Sequence, residues 1–401
     1  MSVRELSVYG RLDAPVVGAR GSLVELDGGR EVLDLYGGHC VNTLGAGDEV
    51  LFAAIAEQWR QLSFATNLVH TPAREDFLEA FGANLPPGDW SVFLSNSGAE
   101  ANENALKAAF GQTGRSTVVC FEGAFHGRTA AALAISDASS PYPNAPFEVR
   151  RLPLGDRAAL DAVDHDVAAV VVEPIQSLAG VVTPGAEVLA SLREACDRAG
   201  ARLVFDEVQT GNGRLGRPWA SQVYDVVPDA FTTAKGAAGG LPIGITVLSD
   251  GAFGRAPKGF GSTFGGGPTV LAAAAHVARQ VASPALQDQL QRTSAALQAC
   301  LRNSPLFASD GIRGHGLLLG GELVPSPGSG AEPNGLSGGL SGALSGAAVR
   351  DALLDEGVLV GTTTDARVLR LTPPLTLTLD DVERFASALD ALASSLIAIP
   401  S

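Results

Sequence analysis

Short apolar runs and amphipathic stretches alternate along most of the chain. Val92–Leu94, Val118–Phe121, Val167–Val172, Arg202–Phe205 and Ile245–Leu248 are compact apolar runs, and stretches such as Ala99–Phe110 and Ala186–Ala199 carry a helical pattern between them. Strands buried on both faces need continuous rather than alternating apolar residues, so this order predicts βαβ units around a buried parallel sheet. In such sheets ligands bind beyond the carboxyl ends of the strands. Residues 20–36 read differently: Leu23, Val24, Leu26, Val32 and Leu33 flank Asp27-Gly28-Gly29, which predicts short strands around a turn. The pattern becomes helical from about residue 48. Helix is predicted over Pro268–Ala282 and on through Leu301, until Asn303-Ser304-Pro305 breaks it, which places a boundary near 283–305. The Leu-Ser-Gly recurrence in 324–346 is too short for a structural repeat and reads as a surface loop.

Composition narrows the class. With 401 residues, 46% hydrophobic and 18% charged, the chain is long and apolar enough for two or three globular domains, and general disorder is excluded. Its 48 glycines follow no G-X-Y period, so a collagen is excluded too. A net charge of −15 argues against nucleic acid and against an anionic membrane surface. Cys40, Cys120, Cys196 and Cys300 are far apart, with no C-x-x-C pair and no clustered histidine, so neither a disulfide framework nor a metal site is expected. The N-terminal MSVRELSVYGRLD has no apolar core of a signal peptide, and no stretch approaches ~18 uninterrupted apolar residues. The expectation is a soluble cytoplasmic protein.

Candidate chemistry gathers at predicted strand ends. Asn96-Ser97-Gly98-Ala99-Glu100 follows one strand and opens a helix, with capping-box spacing between Ser97 and Glu100; free amides at such a helix start suit a phosphate, and equally a plain cap. Asp206 and Glu207 end another strand, and Glu173 ends a third; each is a buried acid needing a cation or donor, or else a cap or salt-bridged group. The only lysines are Lys107, Lys235 and Lys258. Lys235, among small residues after an apolar segment, can form a Schiff base once desolvation lowers its pKa, whereas the other two suit solvated positions. Phe125-His126-Gly127-Arg128-Thr129 offers a ring for stacking and a guanidinium for carboxylates. Gly261-Ser262-Thr263-Phe264-Gly265 is a second glycine-rich loop with hydroxyls able to bond a phosphate.

In this order the motifs resemble the class III aminotransferases, fold-type I enzymes that use pyridoxal 5′-phosphate (PLP), and within them the acetylornithine aminotransferases. The resemblance runs from about residue 20 to the C-terminus through SGAEANENALK (97–107), FHGRT (125–129), EPIQ (173–176), FDEVQTGNGRLG (205–216), AKG (234–236), LPIG (241–244), GSTFGG (261–266) and RLTPPL (370–375). LDLYGGH (33–39) is similar to the subgroup acting on N-acetyl- or N-succinylornithine. It implies an α/β fold with a mixed, mostly parallel seven-stranded sheet in a large domain (48–283) and a smaller α+β domain built from 1–47 and 284–401.

The resemblance also implies roles. Lys235 would attach the cofactor and act as acid and base; Asp206 would pair with the ring nitrogen. Gln209 would reach the ring hydroxyl, with Val208 and Phe125 on the two ring faces. Ser97, Gly98 and Ala99 would hold the phosphate, with Thr263 reaching in from the second subunit of a homodimer. Arg128, Arg370, Glu173 and Ser262 would serve the substrate, Arg370 taking the α-carboxylate of glutamate. The implied reaction moves the δ-amino group of N-acetylornithine to 2-oxoglutarate, in arginine biosynthesis. N-succinylornithine or another ω-amine, such as a lysine-pathway intermediate, is the alternative. A PLP-fold protein that binds without turnover is disfavoured by the intact Lys235, Asp206 and Arg128. A nicotinamide-dependent reductase is disfavoured because no G-x-G-x-x-G follows an early strand.

Three departures bear on the substrate. Relatives carry Gly-Glu after EPIQ, and that acid masks the arginine matched by Arg370; here Ser177-Leu178 stands instead, so Arg370 is expected to lack this partner. Gly267 replaces a usual asparagine, and Gly45-Ala46-Gly47-Asp48 replaces a histidine-bearing turn.

Overall fold

The computed structural model of the chain describes residues 3–11, 15–254, 258–324 and 344–397. Most of the loop expected over 324–346 lies outside these residues. The predicted apolar runs become the strands of one seven-stranded sheet: β4 (Trp90–Ser95), β5 (Thr117–Phe121), β6 (Glu148–Leu152), β7 (Val167–Val172), β8 (Arg202–Asp206), β9 (Ala230–Thr233) and β10 (Gly244–Ser249), numbered after three N-terminal strands. Their spatial order is β4-β10-β9-β8-β7-β5-β6. All pairings are parallel except those of β10, which runs antiparallel to β4 and β9. Hydrophobic pattern alone predicts a parallel sheet; the exception follows from the connection. Only the short segment 234–243 joins β9 to β10, too little chain for the crossover that a parallel neighbour needs. β6, with the sequence EVRRL, was not predicted, because as an edge strand it has no continuous apolar run.

Alternation along these strands sorts side chains to two faces. Val119, Phe121, Val170, Val172, Leu203, Phe205 and Phe231 join one apolar cluster with the helices Pro72–Gly82, Ala186–Ala199 and Pro268–Ala282. Val118, Cys120, Ala169, Val171 and Val204 join another with Ala105, Leu106, Ala108 and Ala109 of the helix Gly98–Thr113. A third cluster gathers Leu33, Leu35 and Leu44 with Leu290, Leu297 and Leu301, and with residues from Leu306 through Ala393.

Two smaller sheets flank this layer. The first comprises β1 (Val16–Arg20), β2 (Leu23–Leu26) and β3 (Arg30–Asp34), turning at Gly28 and Gly29 as predicted, with β13 (Val358–Leu359) pairing parallel to β3. The second orders β11 (Phe307–His315), β12 (Leu318–Leu323), β15 (Val368–Leu371) and β14 (Gly361–Thr362). The helix Glu49–Gln61 begins on Asp48, whose carboxylate accepts from the amides of Val50 and Leu51 at 2.9 and 3.0 Å. Asp48, in the departing turn, is therefore a helix cap. The helix Pro284–Asn303 ends at the predicted break. Among the described residues, no helix is long and apolar enough to cross a membrane.

Backbone packing at one end of the sheet is tight. A Cβ built on Gly244 would stand 2.1 Å from the Ser97 carbonyl oxygen and 2.5 Å from the Ser95 hydroxyl. Gly244→Ala should therefore destabilise the protein by about 1–3 kcal/mol, as overpacking against backbone does. Urea denaturation of the variant and the parent checks this; equal midpoints would show that the β4–β10 crossing yields freely.

Candidate active site

Because β4, β5, β7, β8 and β9 are mutually parallel, the residues that follow each of them meet at one end of the sheet. That end holds a cavity of about 300 Å³ lined by Asn96, Ser97, Gly98, Ala99, Asn102, Phe125, His126, Glu173, Asp206, Val208, Gln209 and Lys235, among others. Nine of the predicted site residues are thus brought together. Gly98 must be glycine there: a Cβ would lie 2.9 Å from the Val208 side chain.

Ser97 caps the helix Gly98–Thr113. Its hydroxyl accepts from the Glu100 amide at 3.2 Å and donates to the Glu100 carboxylate at 2.9 Å. The first-turn amides of such a helix have no partner within it, so those of Gly98 and Ala99 face the cavity as anion donors. Asn96 supports this corner, its side-chain amide donating to Glu100 at 3.3 Å and to the Ser262 hydroxyl at 3.1 Å.

Asp206 lies at the opposite side of the set, only 4% exposed. Its Oδ2 accepts from the Asn102 amide at 2.8 Å and faces His126 Nδ1 at 2.7 Å, while Oδ1 accepts from the Val208 amide at 3.0 Å. Asn102 is itself fixed, donating to the His126 carbonyl and accepting from the Thr232 hydroxyl. Burial would lower the His126 imidazole, but the bond to Asp206 together with the Asp206 and Glu173 charges raises its pKa. The other ring nitrogen, Nε2, is buried with no partner among the described residues. Asn102 and His126 were not singled out from the sequence, although both lie inside quoted motifs.

Glu207, one residue on, points elsewhere. It accepts from the amides of Ala220 and Ser221 and from Thr210, so it caps a short helix outside the cavity. The two adjacent acids divide into one facing the cavity and one structural. Glu173 accepts from the Phe125 amide at 2.8 Å, and burial raises its carboxyl.

Lys235 follows β9 with a left-handed φ of 37° and is half-buried. Desolvation pushes its ammonium below the usual lysine range. Lys107 and Lys258 are exposed, as expected.

A second cavity of about 360 Å³, the mouth, shares Phe125, Gln209 and Lys235 with the first and is lined also by Tyr9, His39, Arg128 and Leu178. Arg128 is exposed, with its guanidinium 5.2 Å from the Phe125 ring centroid and 3.3 Å from the Tyr9 hydroxyl. Thr263 is exposed and lines neither cavity; Ser262 lines neither, its hydroxyl bonded to Asn96 and the Gly265 amide.

Arg370, on β15, is only 1% exposed. It has no acidic partner among the described residues, as Leu178 foretold, yet it is not bare. Nη1 donates to the Ser177 hydroxyl at 3.1 Å and to Gln209 Oε1 at 3.5 Å, and Nη2 meets His39 Nδ1 at 2.9 Å. In place of that acid, neutral groups from three distant segments hold it.

Residues 8–393 match the family described as aminotransferase class-III. The chain is 39% identical to the acetylornithine aminotransferase of Mycolicibacterium smegmatis, over 96% of its length and 94% of that protein's. It is 34% identical, over 95% of each chain, to an Aeropyrum pernix protein with the provisional name LysW-aminoadipate semialdehyde/glutamate semialdehyde transaminase. Among solved structures, the N-acetylornithine aminotransferase of Stenotrophomonas maltophilia superposes with a TM-score of 0.79, at 29% identity over 98% of both chains.

Burial of Glu207 generates a pH dependence of stability. Desolvation pushes its carboxyl from 4.5 up to about 7 in the folded protein. The folded state thus binds the proton more tightly, and stability falls as pH rises between those values. Glu207→Gln keeps an acceptor for the Ala220 amide but never ionises. Its stability relative to the parent should rise by about 1–3 kcal/mol between pH 5 and pH 8, at ~1.4 kcal/mol per pKa unit. Urea midpoints across that range check the sign; parallel curves would refute it.

Proposed function

The chain belongs to the class III aminotransferases, PLP-dependent enzymes, and on that premise we propose that it moves the δ-amino group of N-acetylornithine to 2-oxoglutarate, giving N-acetylglutamate semialdehyde and glutamate. The observation that carries the substrate reading is the mouth. Its lining offers one exposed cation, Arg128, apolar walls from Leu178 and Phe125, and no carboxylate among the described residues. A free α-ammonium finds no counter-charge there, whereas an acylated nitrogen is neutral and needs none. Arg128 then takes the single carboxylate of the acylornithine, or the distal one of glutamate, and Arg370 takes the α-carboxylate of glutamate.

The cavity fits PLP: it pairs helix-start amides with a compensated buried acid and a desolvated lysine. Ser97, Gly98 and Ala99 would hold the phosphate, Asp206 the proton on the ring nitrogen, and Gln209 the ring hydroxyl. Phe125 and Val208 would supply apolar walls, and Lys235 the point of attachment. When bound, the cofactor supplies an electron sink.

The chain's own residues do the rest. Lys235, its basicity lowered by burial, takes a proton from the reacting carbon of the substrate and returns it. Asn102 and His126 hold the Asp206 carboxylate in place through their contacts to Oδ2. Glu173 anchors the Phe125 backbone and so the ring over the cavity. Ser262 steadies Asn96 beside the phosphate corner.

A cytoplasmic homodimer is part of this reading. Val50, Phe52, Trp59, Phe64, Leu68, Val69 and Phe264 are large apolar residues left exposed, and Thr263, next to Phe264, lines neither cavity described above. The separate apolar clusters support a large domain over 48–283 and a small one from 1–47 and 284–401. The Aeropyrum pernix relative keeps a carrier-bound lysine-pathway amine, and with it N-succinylornithine, as the second reading.

An amine-donor panel with 2-oxoglutarate as acceptor tests the substrate: N-acetylornithine should give the highest kcat/KM and unacylated ornithine a far lower one, and the reverse order would overturn the reading. Asp206→Asn should cut turnover at least ~100-fold with folding preserved, on the scale of one lost electrostatic interaction in a buried site. Steady-state kinetics beside circular dichroism check this; near-parental turnover would contradict the cofactor pose.

A further inference from the structure

We infer that His39 is a specificity-determining residue: it masks Arg370 with a neutral acceptor and yields that arginine to the second carboxylate of a dicarboxylic substrate. The inference rests on the proposed reading in which Arg370 receives the α-carboxylate of glutamate. Its grounds are geometric. His39 Nδ1 stands 2.9 Å from Arg370 Nη2, and a guanidinium only donates, so Nδ1 accepts and the imidazole is neutral. The remaining contacts of Arg370, to Ser177 and Gln209, are neutral as well. His39 also lines the mouth with Arg128, Leu178 and Lys235, so it touches both the arginine and the cavity.

The backbone is distorted to deliver this side chain. Gly37, Gly38, His39 and Cys40 form one left-handed turn, with φ of 57°, 57°, 60° and 69°. Left-handed backbone is unfavourable for a residue with a Cβ, and such strain collects where a site over-determines it. The turn is fastened on both sides. Asp34 accepts from the amides of Tyr36 and Gly37, the Thr372 hydroxyl donates to the Tyr36 carbonyl, and a Cβ on Gly37 would lie 2.1 Å from the Thr372 carbonyl oxygen. The Tyr36 ring packs edge-on to His39 at 4.7 Å between centroids. Cys40 Sγ, from the same turn, donates to Gln209 Oε1 at 3.6 Å, which steadies a second acceptor of Arg370. Burial, and then the Arg370, Lys235 and Arg128 charges, hold the His39 imidazole down to about 4, so it stays uncharged at neutral pH.

A neutral mask acts differently from an acidic one. A carboxylate beside Arg370 would oppose an incoming carboxylate by repulsion, whereas an imidazole gives up one hydrogen bond and no charge. The arrangement therefore favours a dicarboxylate as the amino acceptor, while both Nη atoms of the arginine keep their neutral partners when a substrate without that carboxylate is bound; Nε is buried with no partner among the described residues.

The test replaces His39 by Gly, Asn and Asp, all of which tolerate a left-handed φ, so the turn is kept. The dissociation constant of glutarate, an unreactive dicarboxylate, is measured by calorimetry on each holoenzyme, beside KM for N-acetylornithine. His39→Asp should weaken glutarate at least about tenfold, His39→Asn should change it by less than about twofold, and His39→Gly should bind it as tightly as the parent or tighter, because only Asp adds a charge. In the Asp variant KM for N-acetylornithine should rise less than the glutarate dissociation constant does, since that substrate presents no carboxylate to Arg370. Weaker glutarate binding in the Gly variant would mean that His39 supports the arginine rather than masking it, and the inference falls. It falls equally if Asp weakens glutarate no more than Asn does. Should the parent not turn over N-acetylornithine, the substrate reading fails on its own, and the glutarate series still decides the role of His39.

Discussion

At the centre of the molecule a carboxylate is held away from water. Asp206 is 4% exposed, and an ionised acid in that position is tolerated only with donors on both oxygens and a cation nearby. Asn102, His126 and the Val208 amide supply the donors, and each is held by something further out: Asn102 by Thr232, His126 by the Ser136 hydroxyl at its amide, Val208 by contact with the Gly98 turn. The sheet topology is what makes this possible. β8 delivers Asp206, its neighbour β9 delivers Thr232 and Lys235, and the helix after β4 crosses beneath with Asn102. The reversed β10 begins between β4 and β9 at the working end, where glycine lets its backbone pass close to Ser97.

Much of this was legible in the chain. Parallel buried strands announce themselves by runs such as Val167–Val172, and a residue just after such a run must lie at the ligand-binding edge; Ser97, Glu173, Asp206 and Lys235 were found that way. What escaped had no local signal. β13 and β14 are two residues each, and β6 is a polar edge. Asp206 and Glu207 look alike in sequence, and only the direction of each side chain separates the site acid from the helix cap. The partners of Arg370 are 161, 193 and 331 residues away from it, a separation over which no periodicity or spacing speaks. The loss of the masking acid at Leu178 could be read as an absence; what stands in its place could not.

Arg128 and Arg370 occupy contrasting environments. Arg128 is exposed and rests on the rings of Phe125 and Tyr9, free to follow ligands of different length. Arg370 is enclosed, and burial lowers its pKa, so its position is set by its neighbours rather than by the ligand. The exposed guanidinium is thus adaptable, and the enclosed one is fixed by its surroundings.

The left-handed turn at Gly37–Cys40 has a further consequence, in the timing of folding. It is fastened against Thr372, and β3, which leads into it, pairs with β13, more than three hundred residues later in the chain. At ~5–20 residues per second, a ribosome needs roughly 15 s to a minute to make the intervening segment. Throughout that interval the core strands β4–β10 can pair among themselves, whereas the N-terminal sheet lacks its fourth strand and the turn lacks its seat. The wall that holds Arg370 is thus the last part of the site to be assembled, and until the C-terminal strands arrive the early turn must wait as unpaired chain.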